Sequence, residues 1–77
     1  MSAKSIQIIG GSNQSVRVTM QNAQHMLDFC RRQADSWKRE IDDMRANGWR
    51  IDEDRQWKAA LWASNVGMIE DFTRENS

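Results

Sequence analysis

The chain has 77 residues, and its eleven basic and eleven acidic side chains cancel to a net charge of zero. That length holds one domain, expected over residues 1–77, with a small core, because so short a chain buries only about 60–65 % of the surface its unfolded form exposes. Zero net charge removes the long-range attraction to nucleic acid or anionic membrane, and a single cysteine excludes an intramolecular disulfide and a cysteine-based zinc site.

Stability must then come from regular helix packing or from association between copies, and a homodimer is expected. No apolar run is long enough to span a bilayer, and the start Met1-Ser2-Ala3-Lys4-Ser5 leads into an apolar segment too short for a signal sequence. A cytoplasmic protein is expected, and the lone Cys30 agrees with a reducing compartment.

Residues 5–20 read as a β-hairpin. Ser5 to Ile9 and Ser15 to Met20 alternate and are rich in β-branched residues, with Ile6 and Ile8 set against Val16, Val18 and Met20. Gly10-Gly11-Ser12-Asn13-Gln14 supplies the turn, since glycine takes positive φ freely and Asn tolerates it. Gln7, Arg17 and Thr19 are expected to face outward. An isolated two-stranded ribbon is marginal in water, so it must lie on the helices or join a partner's ribbon.

Residues 22–47 read as the first helix. Met20, Ala23, Leu27, Cys30, Ala34, Trp37, Ile41 and Met44 recur at alternating spacings of three and four, one narrow seam of a helix packed nearly parallel or antiparallel on another. Asn22 suits the N-cap, and Gly48 can take the left-handed conformation that ends a helix, which would let Trp49 fold back on Met44.

Residues 52–74 read as the second helix, with Asp52 as its cap and Glu53 and Asp54 favourably placed in the first turn. The short link from Gly48 to Ile51 makes the two helices antiparallel neighbours. Two apolar stripes are expected: Trp57, Leu61, Met68 and Phe72 against the first helix, and Trp62, Val66 and Ile69 toward the hairpin, a second subunit or a partner. Ala59, Ala60 and Ala63 permit close helix approach. The fold class is therefore α+β, an N-terminal β-hairpin followed by an antiparallel two-helix hairpin, dimeric through the second helix or the ribbon.

Chemistry-bearing patterns are scarce. His25 and Cys30 lie five residues apart on different sides of a helix, which does not make a nucleophile and base pair. Asp52, Glu53 and Asp54 are explained by the helix dipole, and the glycine-rich turn lacks the lysine and the strand-to-helix setting of a phosphate loop. No enzyme activity, metal or cofactor is expected.

What remains points to binding. Arg31, Lys38 and Arg45 recur every seven residues along one flank of the seam, with Glu40 on the other, where charges choose orientation and partner. Four Trp residues in so short a chain are unusual, and Trp is enriched at binding hot spots. The partner-binding candidates are Phe29, Arg31, Lys38, Arg45, Trp49 and Trp62. The expected function is a non-enzymatic module that occupies the surface of a protein partner. Its small, neutral, motif-free character is also that of phage and mobile-element accessory proteins that inhibit a host protein or defence complex. The alternatives are a nucleic-acid-binding ribbon dimer, with only Lys4 and Arg17 basic in the ribbon, and a sponge for a small anionic ligand held by Arg and Trp.

Overall fold

A computed structural model describes residues 4–77, with Met1–Ala3, the first residues of the short leading segment, outside the described residues. The chain forms strands β1 (Ser5–Ile9) and β2 (Ser15–Thr19), then helices α1 (Ala23–Ala46) and α2 (Glu53–Glu75). It is the α+β layout expected from the sequence, drawn out to 47 × 21 × 18 Å.

The strands pair antiparallel with Ile6 opposite Val18 and Ile8 opposite Val16, so these four side chains share the face turned to the helices. At the turn the Asn13 N–H donates to the Gly10 carbonyl at 3.0 Å and the Gly10 N–H to the Gln14 carbonyl at 2.7 Å. The positive φ falls on Asn13 (63°), not on either glycine of the turn. Asn tolerates that conformation better than other side chains because its amide is short and polar. Gln7 and Arg17 are exposed, whereas Thr19 is half-buried.

Asn22 stands at the N-cap of α1, but its side chain does not cap the helix. The Asn22 Oδ1 accepts from the Thr19 N–H at 2.8 Å, and its Nδ2 donates to the Arg17 carbonyl at 3.2 Å. The residue thus closes the corner from β2 into α1. Met20 lies before that corner and is exposed, so the seam begins at Ala23 and not at Met20. From there Ala23, Leu27, Cys30 and Ile41 are buried and Ala34, Trp37 and Met44 are half-buried, as the spacing predicts. Helix α1 ends in a Schellman turn: the Trp49 N–H donates to the Met44 carbonyl at 2.8 Å and the Gly48 N–H to the Arg45 carbonyl at 3.0 Å, with Gly48 at φ 72°.

Asp52 caps α2, accepting from the Arg55 N–H at 3.3 Å. Of the two expected stripes of α2, the one carrying Trp62, Val66 and Ile69 packs with the hairpin residues Ile8 and Val18, whereas the one assigned to α1 does not hold as a unit. The buried residues of α2 are Trp62, Asn65, Ile69 and Phe72, a single line at spacings of three, four and three. Trp57 and Met68, assigned to the stripe against α1, are 44 % and 41 % exposed. The physical reason is Asn65, a polar residue on the buried line whose Nδ2 donates to the Ile9 carbonyl at 2.9 Å. It ties α2 to the end of β1 and draws Trp62 and Ile69 under the hairpin.

The core therefore gathers Ile8 and Val18 from the ribbon, Ala23, Leu27 and Cys30 from the first half of α1, and Trp62, Ile69 and Phe72 from α2. The hairpin covers one end of the helix pair. The other end, carrying the α1–α2 turn, extends beyond it.

Candidate functional site

The six candidate residues fall into three places. Phe29 and Trp62 meet edge to face, with ring centroids 5.6 Å apart and an interplanar angle of 79°. Trp62 is only 7 % exposed, and it lies under the turn, where a side chain added at Gly11 would meet its ring at 3.7 Å. Trp62 is thus a core residue that supports the surface, and Phe29, 37 % exposed, is the part of the pair that solvent reaches.

Trp49 is at the opposite end of the molecule and is 63 % exposed. The Schellman turn forms around it in its backbone hydrogen bonds, but its indole stays largely in water instead of folding fully onto the helix. Trp57, in the second turn of α2 at this same end, is also exposed. The remaining Trp is engaged within the fold: Trp37 is half-buried, with Lys58 Nζ 5.2 Å from its ring centroid.

Arg31, Lys38 and Arg45 lie along one side of α1, as their spacing of seven requires. They do not form a basic strip. Asp35 and Asp42 stand between them, lining the same two adjoining hollows of about 400 Å³ each between α1 and α2. The facing wall is Ala59, Ala60, Ala63 and Val66. Charges alternate along the rim, and the floor is small and apolar.

Ion pairing inside the chain treats these charges unequally. Arg31 bonds Glu70 of α2 at 3.1 Å, an exposed pair. On the other flank Glu40 accepts from Arg55 Nε at 3.2 Å, while Arg55 Nη1 also reaches Asp52 at 2.6 Å. This clamp joins the start of α2 to α1, and the hydrogen bond from Arg55 holds the Asp52 carboxyl below its ordinary range. Lys58 pairs with Asp54, and Arg74 with Asp71. Among the described residues no ion pair forms at Asp35, Lys38, Asp42 or Arg45, all of which are exposed.

No protein-family model, curated protein or solved structure matches this chain. The chemistry of the side chains themselves narrows the possibilities. Cys30 is fully buried, and desolvation pushes its thiol up, away from the reactive thiolate. His25 is exposed on α1, so the two do not meet. Among the described residues no cluster of His, Cys, Asp or Glu is placed to hold a metal ion, and no helix is long and apolar enough to cross a membrane.

Sequence reasoning passed over Asn65, assigned Trp57 to the stripe against α1, and did not set the two aspartates on one rim with Arg31, Lys38 and Arg45. The signal for the aspartates was present, because Asp35 and Asp42 fall four residues after Arg31 and Lys38, on the same helical row.

Proposed function

We propose that this protein is a non-enzymatic binding module that acts by occupying the surface of a protein partner, with the Trp49 end of the helical hairpin as its principal contact. The observation that carries the reading is the exposure of Trp49 on a turn whose backbone is closed by two hydrogen bonds. A large aromatic held in water on a rigid turn loses little conformational entropy when it enters a partner's pocket, which is how Trp anchors dominate interfaces. Trp57 adds apolar surface at the same end.

The reading extends to self-association as a homodimer in the cytoplasm, and to inhibition of a host protein or defence complex by a phage or mobile-element product. That last step rests on size and character alone. The test is capture from a lysate of the source cells on tagged protein, with and without nuclease. A protein retained in stoichiometric amount after nuclease is the expected result. Retention that disappears with nuclease would transfer the function to the ribbon face of Gln7 and Arg17 and to nucleic acid.

A further inference from the structure

We infer that the groove between α1 and α2 receives a second copy of this chain, docked antiparallel, with its register set by an alternating row of charges on α1. The row is Asp28, Arg31, Asp35, Lys38, Asp42 and Arg45, at spacings of three and four throughout, so all six lie on one flank of the helix. The inference rests on the self-association in the proposed function and gives it a face and an orientation.

The alternation itself identifies the occupant. Placed antiparallel about a two-fold axis that falls between Asp35 and Lys38, the row meets its own complement at every position. Asp28 faces Arg45 of the other copy, Arg31 faces Asp42, and Asp35 faces Lys38. A parallel copy in register would set like charge against like along the whole row. A partner of one charge sign would find half the row repulsive. Among the described residues, Asp35, Lys38, Asp42 and Arg45 have no ion pair within their own chain, which leaves them available for these contacts.

The facing wall suits close approach, because Ala59, Ala60 and Ala63 hold a second helix off by no more than a methyl group. Burying that wall drives association, while exposed ion pairs mainly choose orientation. The Trp49 ends of the two copies then point away from each other, so the dimer carries two partner-binding ends.

The test reads oligomeric state by light scattering after gel filtration, across protein concentration and at low and high salt. Wild type is expected at twice the monomer mass at high micromolar concentration, with weaker association at high salt. K38E sets a carboxylate against Asp35 twice in the symmetric dimer, and should weaken it at least about tenfold. The charge swap D35K/K38D keeps net charge and restores both contacts, so it should dimerise like wild type. In the antiparallel register shifted by half a heptad, where Asp35 faces Arg45 and Lys38 faces Asp42, the same swap would be repulsive. A monomer at high micromolar concentration, a dimer indifferent to K38E, or a swap that fails to restore association would each overturn the inference, provided circular dichroism shows every variant equally helical. Loss of partner capture in W49A with the dimer intact would bear only on the Trp49 end, so the two readings fail separately.

Discussion

Asn65 commits its amide to the carbonyl of Ile9, where β1 ends, and at 2 % exposure the side chain has no water to fall back on. Replacing it by alanine leaves that backbone carbonyl without its donor, which costs about 1–3 kcal/mol. A urea melt of N65A should show that loss in its midpoint, and an unchanged midpoint would mean that the bond does not hold the ribbon. The aromatic residues divide by the same measure. Trp62, packed under Gly11 and against Phe29, should cost about 3–5 kcal/mol as W62A, enough to unfold a chain this small. Sequence could rank neither residue. Asn65 is polar on an apolar line, and its reason for being there is a carbonyl 56 positions away in the chain. The Trp side chains look alike until the ribbon covers one of them.

At the scale of elements, local chemistry explains where each helix stops and starts. Gly48 holds φ 72° with nothing within 4 Å of the place a Cβ would take, so alanine there meets no clash and is opposed only by its backbone conformation. G48A should destabilise the fold by about 1 kcal/mol in a thermal or urea melt. The start of α2 is pH-sensitive in a definite direction. Asp52 is held below its ordinary range, first by the hydrogen bond from Arg55, so its contribution is complete above the ordinary carboxylate range and is lost as pH falls through the lowered folded value. A carboxyl titration followed by NMR should place the Asp52 midpoint below those of exposed aspartates. A midpoint among theirs would mean that Arg55 does not clamp Asp52 in solution.

Both helices, both strands and the two chain reversals were legible because each has a local cause: alternation in the strands, the seam of three and four in α1, Gly48 after its last turn, and Asp52 before α2. The role of Asn22 was less legible. It was expected to cap α1 because of its residue type, but its side chain turns back to Thr19 and Arg17 once the ribbon lies beside it. The buried line of α2 was misread for a related reason, since an apolar count passes over Asn65 and promotes Trp57 and Met68 in its place. Tertiary contact decided these points, and sequence spacing alone could not.

For the whole molecule, the arrangement separates what builds the fold from what can meet a partner. The ribbon, the first half of α1 and α2 from Trp62 onward share one core, while the α1–α2 turn and the start of α2 extend past it and carry Trp49 and Trp57 into solvent. Neither Trp belongs to that core, so removing both should cost less stability than removing Trp62 alone. The most direct measurement of the partner-binding role is therefore nuclease-treated capture with W49A/W57A beside wild type, with a urea melt of each. The double variant is expected to remain cooperatively folded and no longer to retain the protein partner. Full retention of the same partner by a double variant that stays folded would contradict that role.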